Sequence, residues 1–182
     1  LSYPNIFRKF SEHNAQIAEL SVAWFELGFM QSLQRGEVMS KSGPSPRSVY
    51  YDFQTLQTRW EDNDSYGHMN NIVHYSLIDT AVTNWQRDRG FFDVDDVKFM
   101  VVQSGCTYFA EARYPDTVHA GLRVSKIWRT SWTYEMGLFR NEENDAFAEG
   151  FFVQVQVDGG TGRPNTIKDT FRRHLERILV PP

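Results

Sequence analysis

Residues 71 to 89 place the strongest constraint on what this chain can fold into. Ile72, Tyr75, Ile78, Val82 and Trp85 recur at helical spacing, while Ser76, Asp79, Thr80, Thr83 and Arg87 fall on the opposite face. Asn70 or Asn71 supplies an N-cap, Arg87 and Arg89 complement the far end of the helix dipole, and Gly90 stops the helix. A long helix with one apolar face needs a surface to cover it, and the flanking segments read as strands. Val49 to Asp62, rich in aromatic and β-branched residues, precedes it. Lys98 to Arg113 (with Gly105 a place to break), Thr117 to Trp128, Trp132 to Arg140 and Ala146 to Val157 follow it. Tyr114-Pro115-Asp116, Asn141 to Asp145 and Gly159 to Gly162 separate or end these strands. Ile167, Phe171, Leu175 and Ile178 mark a C-terminal helix. One strand, one long helix and then four strands on tight connections predict an α+β fold with an antiparallel sheet.

The residues between the first strand and the helix carry the chemistry. Trp60 to Asn71 contains Asp62, Asp64, Gly67, His68, Asn70 and Asn71. A carboxylate arriving on a strand can act as base or nucleophile. The unpaired amides of a helix's first turn can hold a developing oxyanion. From the residues alone Asp64 reads as a turn or capping residue, and which carboxylate would react stays open, while the Asn71 N–H is the candidate oxyanion donor. Asp62 is expected to orient the turn or meet solvent, because two carboxylates in one pocket would raise each other's pKa. Gly67 permits a tight turn, and His68 lines the pocket or finds a backbone partner. A calcium loop at this spacing would need an oxygen ligand at its fifth position and glutamate at its twelfth, where Tyr66 and Val73 stand. His68 and His74 lack the i, i+4 spacing of a helical zinc pair, so no metal is expected. No Gly-x-Ser-x-Gly elbow is present for a serine hydrolase.

Asp62-x-Asp64-x-x-Gly67-His68-x-Asn70-Asn71, then a long helix and several strands, resembles the hotdog-fold acyl-CoA thioesterases of the 4-hydroxybenzoyl-CoA thioesterase family. The resemblance extends over residues 49 to 179. It implies a hotdog fold, in which an antiparallel sheet wraps one long central helix, and dimers or tetramers that share active sites. It also implies hydrolysis of an acyl-CoA thioester without a cofactor, coenzyme A being part of the substrate. Carried over by position, Asp64 is the family's catalytic carboxylate. Gly67, His68 and Asn70 would line the substrate site, and Ser131 falls where the family has a polar turn near the substrate channel. Arg113, Lys126, Arg129 and Arg140 are candidates for the coenzyme A phosphates. The alternatives are a non-catalytic acyl-CoA-binding hotdog protein and a hotdog dehydratase, whose aspartate–histidine motif this chain does not match.

Composition excludes other classes. Net charge is −4 with no basic block, so no nucleic-acid partner is expected. Cys106 is the only cysteine, which rules out a disulfide within the chain and suits a reducing, cytoplasmic setting. No run of about 18 apolar residues predicts a membrane span. Residues 1–48 read as an N-terminal helical extension and linker, and residues 49–182 as the hotdog thioesterase domain. Ser11 to Arg35 is the expected helix, with Ile17, Leu20, Trp24 and Leu27 on one stripe widened by Val22, Phe25 and Phe29. Glu12, Glu19 and Glu26 argue against a secretory signal. Met39 is an alternative natural start, which would make residues 1–38 an upstream extension.

Overall fold

The computed structural model of the protein describes residues 43–181, and the helix expected from Ser11 to Arg35 lies outside them. In chain order the elements are β1 (Asp52–Gln57), α1 (Asn71–Arg87), β2 (Val97–Tyr108), β3 (Thr117–Ile127), β4 (Ser131–Arg140), β5 (Ala148–Asp158) and α2 (Asp169–Glu176), with short 3-10 turns at Arg47–Val49 and Trp60–Asp62. The five strands form one sheet in the order β1-β3-β4-β5-β2, and every neighbouring pair is antiparallel. This is the hotdog arrangement, with α1 lying against the inner face of the sheet.

Strand alternation sorts the side chains onto two faces. Val118, Ala120, Leu122 and Val124 of β3 and Trp132, Tyr134, Met136 and Leu138 of β4 point inward and are buried, as is Phe152 of β5. They meet Leu77, Ile78, Ala81, Val82 and Trp85 of α1. Fully burying each large apolar side chain contributes about 1.5–3 kcal/mol, so this layer supplies most of the drive to fold. Close approach has one visible requirement. A Cβ on Gly150 would stand 2.5 Å from the Ile78 Cδ1, so α1 can lie this near β5 only over glycine. At the far end of α1, Gln86 Nε2 donates to Gln154 Oε1 at 2.7 Å and to Tyr134 Oη at 3.3 Å. Trp85 Nε1 donates to Asp52 at 3.0 Å, which ties α1 to β1. Phe171 of α2 stacks on Phe91 with ring centroids 4.5 Å apart and closes that end of the core.

Several boundaries differ from the sequence reading. The first strand stops at Gln57 and not at Asp62 because the Asp62 carboxylate turns the chain into a 3-10 turn. The second strand stops at Tyr108 and not at Arg113, and its irregularity lies between Val101 and Gln103, not at Gly105. The helix's buried face matches the expected one at Ile78, Val82 and Trp85 and departs from it at the first turn. Ile72 is 73% exposed and Tyr75 36%, whereas His74, Leu77 and Ala81 are buried. Residues 43–48, read as linker, are fastened to the β4–β5 connection: Arg47 N–H donates to the Asn144 carbonyl at 2.8 Å and Ala146 N–H to the Ser45 carbonyl at 3.1 Å. Tyr50 follows and lies flat on the outer face, where Gly121 and Gly137 leave room for its ring.

Candidate functional site

Asp62 builds the entry to the site. Its Oδ2 accepts the Arg59 N–H at 2.6 Å and its Oδ1 accepts from the Arg59 guanidinium at 3.0 Å. At 3% exposure the carboxylate is enclosed, and its role is to close the turn. Its carbonyl accepts the Asn70 N–H at 2.9 Å, which pins the start of α1 to the end of the turn. Between those two points residues 63–69 form a small loop, with Asn63 and Met69 bridged across its neck. Met69 is buried and its N–H donates to the Ala112 carbonyl at 2.7 Å, anchoring the loop to the chain before β3.

Asp64 sits within this loop and not on a strand. Its N–H donates to the His68 carbonyl at 2.8 Å, and its carbonyl accepts the Gly67 N–H at 3.1 Å. Gly67 takes φ +80°, the left-handed backbone that this reversal needs. Asp64 Oδ1 accepts the N–H of Tyr66 at 2.8 Å and of His68 at 3.2 Å. Oδ2 takes no partner among the described residues. The carboxylate is therefore fixed on one oxygen and free on the other. The His68 imidazole has a different carboxylate beside it: Nε2 lies 3.1 Å from Glu111 Oε2. Glu111, invisible as a site residue in the sequence, comes near His68 through the same Met69–Ala112 anchor.

Asn70 is the N-cap of α1. Its Oδ1 accepts the Ile72 N–H at 3.1 Å, so the first free amide of the helix is that of Asn71. That N–H has no acceptor among the described residues, and 17 residues of aligned peptide dipole stand behind it. Asp64, Gly67, His68, Asn70 and Asn71 are thus gathered at one end of α1. Trp60, Tyr66 and Ile72 stand exposed around them.

Ser131 is not brought to this place within one chain. It opens β4 at the opposite end of the sheet, and the 11 residues of β3 that span the gap cover on the order of 35 Å at about 3.3 Å each. The basic candidates are mostly engaged elsewhere. Arg140 pairs with Glu143 at 2.6 Å and donates to the Glu111 carbonyl at 2.7 Å. Arg129 reaches Thr166 at 3.3 Å, and the Lys126 ammonium lies 5.0 Å from the Trp128 ring centroid. Among the described residues no three His, Cys, Asp or Glu side chains are grouped as a metal would require.

In the sequence His74 stands out only as a zinc ligand that its spacing excludes. In the fold it is 4% exposed and its Nδ1 lies 3.1 Å from the Asn70 carbonyl oxygen. The i, i+4 spacing from Asn70 was the signal for that contact.

The model of the thioesterase-like superfamily matches residues 58–175, from the end of β1 to the last turn of α2. Among solved structures, the PA5185 protein of Pseudomonas aeruginosa is 38% identical with a TM-score of 0.72, covering 75% of this chain and 96% of that one. Slr0204, a 1,4-dihydroxy-2-naphthoyl-CoA thioesterase from Synechocystis, is 13% identical with a TM-score of 0.61, covering 68% and 93%. SAV2348 of Staphylococcus aureus, solved in complex with CoA, is 12% identical with a TM-score of 0.64, covering 71% and 86%. These last two show a likeness of fold alone. No curated protein matches the chain.

Proposed function

Because the chain belongs to the thioesterase-like superfamily, we propose that it hydrolyses an acyl-CoA thioester with Asp64 as the reacting carboxylate and the Asn71 amide as oxyanion donor. The observation that carries this reading is the pairing of a carboxylate oxygen and a helix N-terminal amide, both without a partner among the described residues, seven residues apart at one end of α1. Asp64 takes the proton of the attacking water, or itself attacks the carbonyl to give a mixed anhydride that water then opens. On either route the carbonyl oxygen gains negative charge beside the Asn71 N–H, the C–S bond breaks, and the thiolate leaves as free coenzyme A. Gly67, His68 and Asn70 border the bound acyl group.

A second copy of the chain completes this reading. Ser131 and the Lys126–Trp128–Arg129 end of the sheet are remote from Asp64 in one chain, so in a shared site they belong to the partner. The CoA bound by SAV2348 is consistent with a coenzyme A substrate here. A single, half-buried cysteine suits a cytoplasmic enzyme. Among the described residues no helix is long and apolar enough to cross a membrane.

Thiol release across short, medium, long and aromatic acyl-CoAs tests the proposal. Turnover of one class by the unaltered protein is expected. Acyl-CoA binding without thiol release would favour a sensor, and water loss from a 3-hydroxyacyl thioester would favour a dehydratase. A single turnover in ¹⁸O-water separates the two hydrolytic routes: the base route puts the label in the product acid, whereas water opening the anhydride at the Asp64 carbonyl leaves the label in the Asp64 carboxylate and the product unlabelled.

A further inference from the structure

The peptide group that joins Asn70 to Asn71 is held from one side only. Its N–H, that of Asn71, has no acceptor among the described residues and stands at the mouth of α1. Its C=O, that of Asn70, accepts the Val73 N–H at 2.9 Å and lies 3.1 Å from His74 Nδ1. A carbonyl oxygen only accepts, so Nδ1 carries the proton and the tautomer of His74 is set by this contact. The ring is packed edge-on to Tyr108, with centroids 4.8 Å apart, and to Phe147, at 5.8 Å. Burial holds its pKa below the ordinary histidine value, so the neutral ring is the resident form.

We propose that His74 is a positioning residue for thioester hydrolysis, acting through the Asn70–Asn71 peptide: its Nδ1–H fixes the plane of that peptide and polarises it, so that the Asn71 N–H is aimed and strengthened as a donor. The proposal rests on the reading of Asn71 as the oxyanion donor. Two features distinguish it from simple packing. A phenyl ring would fill the slot between Tyr108 and Phe147 without the cost of burying imidazole nitrogens. The Asn70 carbonyl already has the Val73 N–H, so it does not need a second donor for its own sake. What histidine adds is one hydrogen bond to the carbonyl whose amide partner faces the substrate. Bonds that share a peptide polarise one another by about 10–30%, and a neutral donor does so without placing a charge at the positive end of the helix.

His74→Phe removes the donor and keeps the ring, His74→Leu removes donor and ring, and His74→Asn keeps a donor at the Nδ1 position. Each is read for kcat, KM, melting temperature and the Asn71 amide resonance in the ligand-free protein. Weakening one oxyanion donor without deleting it should lower kcat roughly tenfold in His74→Phe, with KM little changed. Its Asn71 amide proton should move upfield, and His74→Asn should recover most of both. Should His74→Phe fail to fold, His74→Leu is judged by the same two readouts. An Asn71 resonance unmoved in the donor-less variants overturns the proposal, as does a kcat that tracks melting temperature across all three. If the unaltered protein cleaves no thioester, the reading of the site fails by itself, while the amide resonance still decides whether His74 acts on this peptide.

Discussion

Asp62 and Asp64 are two residues apart in the chain, yet their surroundings assign them different work. Both oxygens of Asp62 are engaged by Arg59 and the group is enclosed, so its consequences fall on the stability of the turn. Asp64 has one oxygen on two amides and the other unengaged, so its consequences fall on whatever is bound there. Asp64→Asn keeps the size of the side chain but cannot take a proton or attack as a carboxylate. Thiol release should fall roughly 10²- to 10⁴-fold with acyl-CoA binding retained. Asp62→Asn places an amide N–H against one of the Arg59 donors and should destabilise by about 1–3 kcal/mol, visible as a lower urea midpoint, with near-normal turnover per folded molecule. If Asp64→Asn keeps its activity and Asp62→Asn loses it, the wrong carboxylate has been chosen. If neither changes turnover, the carboxylate mechanism itself fails.

Tyr50 shows how an element outside the sheet depends on it. Its ring lies over Gly121 and Gly137, and its pKa is pushed up to about 12 from the ordinary 10.0, by burial first and then by Glu149, against the opposing pull of Arg123. The raised folded value fixes the sign of the pH dependence. The contribution to stability is complete below the unfolded value of 10.0 and is lost as pH rises through about 12. Tyr50→Phe cannot ionise, so its urea midpoint should fall less than that of the unaltered protein between about pH 9 and about pH 11. Equal losses in the two proteins would show that Tyr50 does not titrate in this way; Tyr134, also raised by burial, is common to both. This packing had no signature in the sequence, where residues 43–48 read as linker because Gly43, Pro44 and Pro46 punctuate turns equally well when the chain is tied down. The strands β3, β4 and β5 were legible because one face packs on α1 and the other does not, which produces clean alternation. The face of α1 was legible at Ile78, Val82 and Trp85 and not at its first turn, where Ile72 and Tyr75 are apolar yet exposed and polar His74 is buried. The site loop was legible in its residue types and not in its conformation, because Asp62 ends β1 through a side-chain bond that strand propensity does not register.

At the scale of the molecule, the candidate catalytic groups all lie beyond residue 58, so removing residues 1–38 should leave thiol release near normal; a large loss with the fold intact would give that segment a part in the site. The assembly raises a sharper question. β5, rich in Val and Phe, is an inner strand, paired with β4 on one side and β2 on the other, and has no edge to offer a second chain. Among the described residues the sheet's edges are β1, with 6 residues, and β2, with 12. Natural edges are guarded by charge, proline or a short length, and from Phe99 to Tyr108 β2 has no charged residue, while Met100, Val101 and Val102 stand exposed. Pairing of two β2 edges would cover those side chains and bring a second chain beside the first. Light scattering across micromolar concentrations should therefore give a dimer or tetramer. Lysine at both Val101 and Val102 should shift the mass toward the monomer without unfolding it, since neither side chain is part of the buried core. Thiol release should fall in step with the loss of assembly, because Ser131 can reach Asp64 only from another chain. A variant that is monomeric and fully active would separate catalysis from assembly and remove Ser131 from the site. A native protein that is monomeric throughout that range would sink the shared-site proposal altogether.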